Sequence, residues 1–236
     1  MDLEVSSTSQ SASFPFGARL SDVRLISTRP ANAGLILESP AVIIAPSFLS
    51  MLMMHPGVRV KAALFDGSVN VTIRPSGGGT SISYDLDSVD IARQHLFTIP
   101  GADTSGRLSG SGNLLLSPAD IAQSGTGDLS AASLTIMSAL ASSPIRLGEG
   151  HSKFKIDQGM LTIEEFTTTG GDLTLNATGT IQLAPDPGEC ELAIQFTLAT
   201  TPTAAAQLGI LLSTLPHPPG SQPYHLTGTL NAPRIS

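Results

Sequence analysis

The chain has 236 residues, of which 41% are hydrophobic and only 13% are charged, and its length suits one large β domain. Its formal net charge of −7 would repel a phosphate backbone, so nucleic acid is excluded as an expected partner. Aromatic residues make up 4% and tryptophan is absent, which excludes aromatic platforms for stacking sugars or bases.

The start of the chain differs from the rest. The polar stretch at residues 1–13 predicts a flexible leader, and residues 14–236 are predicted to form a single β domain because no shift in composition marks a linker. The longest apolar runs, at residues 41–54 and 204–215, are shorter than the roughly 20 residues that a membrane-spanning helix needs. The one cysteine, Cys190, is expected to be an ordinary small residue on the polar face at a strand entrance.

The first half of the chain alternates apolar and polar residues. Residues 46–54 interrupt this pattern and predict one or two helical turns, with proline at the first position and Pro56 ending them. Asp66-Gly67 lies between two alternating stretches, which predicts a tight hairpin, and residues 75–79 predict the next turn. The predicted strands are residues 18–25, 35–37, 41–45, 58–64, 69–73 and 82–86.

The second half reads as a run of hairpins with two helical interruptions. Residues 117–120 predict the start of a brief helix that Gly125-Thr126-Gly127 ends. Residues 202–215 are the best helix candidate, capped by Thr201. The predicted turns contain residues 143–144, 158–159, 170–171 and 185–188. The predicted strands are residues 108–116, 129–137, 145–157, 161–166, 173–183, 191–199 and 224–230.

The longest unbroken alternation, at residues 173–183, decides the fold class. Side chains in a strand alternate between two faces, so this stretch has one apolar face and one hydroxyl- and amide-rich face. Glycines recur on the apolar side, as at Gly110, Gly179 and Gly228, where they would let a sheet coil inward. The predicted fold is all-β: a long, strongly twisted and curled antiparallel sheet, either a half-pipe or an open sandwich, with two or three short helices.

Two surfaces follow from that prediction. The concave apolar face is predicted to contain Leu173, Leu175, Ile181, Leu183, Leu192, Ile194 and Phe196. An open sheet also has free edges to which a partner can add a strand. The candidate edge strand for a partner is the last predicted one, with Tyr224, Leu226, Gly228 and Leu230.

No set of residues points to catalysis, so we expect a protein that is not an enzyme. The histidines share no ligand spacing, and no metal or other cofactor is expected. Glu164 and Glu165 are adjacent and would point to opposite faces of a strand. Asp85 and Asp87 would share a face, but they lack the glycine and glutamate of a calcium loop and are expected to lie on a wet strand face.

Several segments resemble a known family. Residues 154–163, followed by Gly179-Thr180-Ile181-Gln182-Leu183, resemble the type II secretion system protein N family and, more broadly, the AsmA-like periplasmic proteins. Residues 224–233 look like that family's closing strand, and residues 64–69 look like its early hairpin. The resemblance covers roughly residue 57 to the C-terminus, and its motifs are structural.

The resemblance implies an accessory, non-enzymatic component of the bacterial type II (general) secretion machinery. Such a component acts through contacts with other secretion-system subunits in the periplasm and is tethered to the inner membrane by one N-terminal helix. That anchor is not present in this chain, and the family has no catalytic residues to carry over. The alternative is an AsmA-like lipid-handling module whose apolar groove receives acyl chains. A third reading is an extracellular adhesin-like β domain.

Overall fold

The computed structural model describes residues 3–13, 16–27, 34–47, 57–64, 66–77, 79–92, 102–117, 122–138, 144–213, 215–220 and 222–236. They form a single open antiparallel sheet in which the first two strands both pair with the third, and every later strand pairs with its neighbours along the chain. The strands are β1 Leu3–Ser6, β2 Ser9–Ser13, β3 Gly17–Ser27, β4 Gly34–Pro46, β5 Val58–Leu64, β6 Gly67–Ser76, β7 Gly79–Asp90, β8 Ala102–Leu116, β9 Ala122–Ser138, β10 Ile145–Asp157, β11 Met160–Gly170, β12 Leu173–Gln182, β13 Glu191–Thr200, β14 Tyr224–Thr229 and β15 Ala232–Ile235.

The described helical segments are short. A single 3₁₀ turn covers Pro187–Glu189, and two α-helices, α1 at Pro202–Gln207 and α2 at Gly209–Leu212, follow β13. The predicted helix at residues 202–215 is thus confirmed at its start, where the Thr201 hydroxyl accepts a hydrogen bond from the Ala204 N–H (3.2 Å). The prediction of an all-β, curled and open sheet is confirmed, and the single sheet makes it a half-pipe and not a sandwich.

The hairpin register follows the turn chemistry. Asp157 pairs with Met160, so Gln158 and Gly159 form a two-residue turn. Both turn residues have positive φ, 50° and 79°, as a type I′ turn requires. The turn thus fixes the register of this hairpin, so residues of one face on β10 meet residues of the same face on β11.

The register lines up apolar residues in rows that cross the sheet. One row consists of Leu20, Val42, Ala62, Val69, Leu86, Gly110, Leu129, Ser152, Phe166, Ala177, Phe196 and Tyr224. The next row consists of Ala18, Ile44, Val60, Val71, Tyr84, Gly112, Gly127, Phe154, Ile163, Gly179, Ile194, Leu226 and Ile235. We call the surface that carries these rows the apolar face.

The apolar face has two buried clusters. The larger one joins β3 to β9 and contains Val23, Val42, Ala62, Leu64, Val89, Ile91 and Leu108. The smaller one joins α1 and the residue after it to the start of β10, through Ala204, Leu208 and Ile145. The smaller cluster contains residues of the segment 201–213, which we call the strap. We therefore call the end of the sheet at which this cluster lies the strap end, and the opposite end the far end.

Two predictions of secondary structure from the sequence are wrong. The stretch predicted as a flexible leader forms strands β1 and β2, which both pair with β3, because a hydroxyl-rich strand at a sheet edge needs only backbone partners. Residues 122–125, predicted to continue a brief helix, are already strand β9. Gly125 and Gly127 are not helix terminators there but strand residues that lie beside the Leu114 and Phe154 side chains. The helical turns predicted at residues 46–54 lie largely outside the described residues, and Pro46 ends β4.

Candidate functional site: the apolar face

The residues predicted for a concave apolar face lie on one face of β12 and β13. Across the two strands, Leu175 is opposite Leu198, Ile181 is opposite Leu192, and Gly179 is opposite Ile194. Leu192 is buried, whereas the others are only partly buried. The seventh residue, Leu183, follows β12, and its N–H donates to the Gly159 carbonyl at 2.9 Å. The structure therefore brings six of the seven together on strands and places the last one at the far end.

The apolar face has a cover at the strap end. The strap contains both α-helices. Ala204 and Leu208 of the strap are 2% and 4% exposed and pack with Ile145, while Leu147, Leu173 and Leu212 lie around them. Toward the far end, Ile163, Ile181 and Ile194 remain partly exposed. The face is thus a trough that is covered at one end.

A glycine patch lies near the middle of the trough. A Cβ atom on Gly127 would lie 2.3 Å from Phe154 Cζ and 2.5 Å from the Tyr84 hydroxyl oxygen, and one on Gly112 would also lie 2.5 Å from that oxygen. Both aromatic rings therefore lie directly over glycine backbone. Burial raises the pKa of the Tyr84 phenol above its ordinary value.

Three rings stack where β13 and β14 meet the return from the strap. Tyr224 is fully buried between Phe196, at a centroid distance of 5.0 Å, and His217, at 4.1 Å. Its hydroxyl donates a hydrogen bond to the His217 carbonyl at 2.8 Å. Burial raises the pKa of this phenol as well. The stack fixes the point at which the chain rejoins the sheet.

The free edge is not the predicted strand. Tyr224, Leu226 and Gly228 belong to β14, which pairs with β13 on one side and β15 on the other, and Leu230 lies in the turn that follows. The edge prediction is wrong because the four residues of β15, which contain a proline, show no strand signal of their own.

The edge strand at the C-terminal side of the sheet is β15, and it is a poor template for a further strand. His225 and Ser236 exchange both backbone hydrogen bonds, at 2.9 and 3.0 Å. In an antiparallel pair such ranks alternate, so the backbone groups of Pro233 and Ile235 point away from β14. Proline has no N–H to offer, which is the usual way in which an edge strand is protected.

A charged clamp holds the strap end of β10 to the start of β12. The Arg146 guanidinium donates to both Asp172 carboxylate oxygens (3.1 and 2.9 Å), and the Arg146 backbone N–H donates to one of them (3.0 Å). These hydrogen bonds hold the pKa of the Asp172 carboxyl below its usual range. The carbonyl of Asp172 in turn accepts the Thr201 N–H (3.1 Å), so the clamp also positions the start of the strap.

The side of the sheet opposite the apolar face, which we call the wet face, carries dispersed polar groups. Glu164 and Glu165 form a β-bulge between the pairs of Ile163 and Phe166, in which two residues of β11 lie opposite one residue of β12. Both line one shallow depression of about 270 Å³ with Gln195. Both glutamates are exposed, and the bulge interrupts the strict alternation of faces at this point of β11. His151 hydrogen-bonds Asp128 at 3.0 Å.

Three features bear on function: the arrangement of possible metal ligands, the one cysteine and the helices. Within the described residues, no group of three or more His, Cys, Asp or Glu side chains is arranged to hold a metal ion. Cys190 is buried before β13, and its sulfur accepts a hydrogen bond from the Ala184 N–H (3.3 Å). None of the helices in the described ranges has the length and hydropathy to cross a membrane.

Comparison of the chain with protein-family models, with curated proteins and with solved structures returned no match.

Proposed function

We propose that this protein is a non-enzymatic accessory component of the bacterial type II secretion machinery that acts through protein contacts in the periplasm, at the inner membrane. One observation carries the proposal: an open sheet presents a long, half-exposed apolar face. Such a face is a surface for contact, since large exposed apolar patches on soluble domains mark interaction sites. The segments that resemble the type II secretion system protein N family add the expected partners.

Site-specific photocrosslinking in the native bacterium tests this proposal. Ile194 on the apolar face and Gln195 beside it on the wet face are matched positions for a photoreactive amino acid. We expect crosslinks to a secretion-system subunit from one of these faces, and reduced export of secreted enzymes when the gene is deleted. Normal export without this protein, together with crosslinks to no secretion subunit from either face, would contradict the proposal. Cell fractionation checks the periplasmic location.

The second candidate function is lipid handling, and the apolar row that crosses the sheet from Ala18 to Ile235 favours it. An acyl chain that lies along such a row would gain about 0.8 kcal/mol for each buried CH₂ group. In this proposal the far end of the trough, around Ile181 and Ile194, receives the chain because the strap covers the other end.

Native mass spectrometry of the purified protein distinguishes the two functions. Copurified lipid that is lost in Ile194→Asp and kept in the matched wet-face variant Gln195→Asp supports lipid handling. Protein that is folded by circular dichroism and carries no lipid excludes this second function and leaves the first intact.

A further inference from the structure

The strap is longer than the connection it makes. Strands β13 and β14 are direct neighbours, with Phe196 opposite Tyr224. Two residues are enough to join neighbouring antiparallel strands. Here residues 201–223 separate them, and the two α-helices lie within that excursion. The chain therefore leaves the edge region of the sheet and crosses back to β10 before it returns.

The strap sits on the sheet through an apolar contact. Among its described side chains, Ala204 and Leu208 are buried against Ile145 of β10. Its backbone hydrogen bonds close its own turns, as from the Leu208 N–H to the Ala204 carbonyl and from the Leu212 N–H to the Leu208 carbonyl (both 2.8 Å). At its start, the Thr201 N–H is held by the Asp172 carbonyl.

The helices cannot hold this shape alone. Helix α1 has six residues and α2 has four, whereas isolated helices shorter than about 12 residues are marginal in water. Their helical conformation therefore depends on the apolar contact that Ala204 and Leu208 make with Ile145. The sheet does not depend on the strap in the same way, because the strands near the strap, β10 to β14, are each paired on both sides by backbone hydrogen bonds.

We propose that the strap is a lid that opens locally, while the sheet stays folded, and uncovers the strap end of the apolar face. The hinges are two fixed points already described. One is Thr201, whose N–H is bound by the carbonyl of Asp172 in the clamp, and the other is the ring stack around Tyr224. Opening exposes Ile145, Leu147 and Leu173 and lengthens the trough. The lid serves either proposed occupant of the trough, and its test requires neither.

Hydrogen–deuterium exchange of the whole chain tests the lid. We expect the amides of Ala205, Leu208 and Leu212 to exchange about 100-fold faster, or more, than those at the centre of β12 and β13, with little dependence on low urea, as local opening requires. Leu208→Ala should speed exchange in the strap about 10-fold or more and leave the β12–β13 amides and the urea midpoint unchanged.

The matched control is Leu192→Ala, which removes the same side chain from the sheet itself, where Leu192 is 6% exposed. This variant should lower the urea midpoint and speed exchange in β12 and β13. The lid is overturned if wild-type strap and sheet amides exchange at one rate with one urea dependence. It is equally overturned if Leu208→Ala lowers the urea midpoint as much as Leu192→Ala does.

Discussion

The two tyrosines are internal reporters of the apolar face. The chain has only these two and no tryptophan, so ultraviolet absorbance reads Tyr84 and Tyr224 without interference. Because burial raises both pKa values, the neutral phenols stabilise the folded state below about pH 10, and this contribution is lost as the pH rises through the raised folded-state pKa values.

We expect both phenols of the native protein to ionise at a higher pH than free tyrosine in a spectrophotometric titration. Tyr224→Phe leaves Tyr84 as the only signal and removes the hydrogen bond to the His217 carbonyl, so it assigns the two titrations. A native protein whose phenols both titrate as in the urea-unfolded chain would contradict the packing around these rings.

The glycine patch makes a second prediction at the residue scale. In Gly127→Ala the new methyl group meets the Phe154 and Tyr84 rings, so we expect a loss of roughly 1 to 3 kcal/mol in the free energy of unfolding from overpacking. Trimming one ring in Gly127→Ala/Phe154→Leu should recover part of this loss. Urea denaturation of both variants measures the coupling, and strictly additive effects would show that the ring does not lie over the glycine.

At the scale of elements, the Arg146–Asp172 clamp ties β10, β12 and the strap together. The folded-state pKa of Asp172 is lowered, so its contribution to stability is present above the ordinary aspartate pKa of about 4 and is lost as the pH falls through the lowered value. We expect Asp172→Asn to lower the urea midpoint at neutral pH, with a difference from wild type that disappears in acid.

The matched control for the clamp is Glu38→Gln, which weakens the Arg24–Glu38 ion pair at 3.1 Å. Asp172 accepts several hydrogen bonds from Arg146 and its side chain is 19% exposed, whereas the Glu38 side chain is 33% exposed, and ion pairs of exposed groups contribute little. Equal effects of the two variants at neutral pH would contradict the special role of the clamp.

How far each element could be predicted depends on how local its signal is. The alternation at residues 173–183 and the Thr201 cap are contained in their own segments, and both predictions are confirmed. The strand nature of residues 122–128 depends on side chains from β8 and β10 that lie over Gly125 and Gly127, so no local pattern reveals it. The clamp joins residues 26 positions apart and has no motif.

At the scale of the whole molecule, the sheet is connected almost entirely between neighbours in sequence. Such an architecture resembles a one-dimensional array, in which a local defect stays local. Val89 is 1% exposed in the cluster that joins β3 to β9. Val89→Ala should therefore cost that region about 2 kcal/mol and speed its amide exchange while β12 to β14 stay protected.

Exchange measurements on Val89→Ala and on Leu192→Ala test this regional independence, because the second variant should have the reverse pattern. If either substitution speeds exchange evenly from β3 to β14, the sheet is one cooperative unit and the array description is wrong.

The route of the chain also orients the molecule. Leu3 pairs with Ser27 and Ser236 pairs with His225, so both termini emerge at the strap end. The turns at residues 158–159 and 230–231 occupy the opposite extremity. A support or bilayer that holds the chain near Leu3 or Ser236 would therefore leave those turns on the side of the molecule that faces away from it.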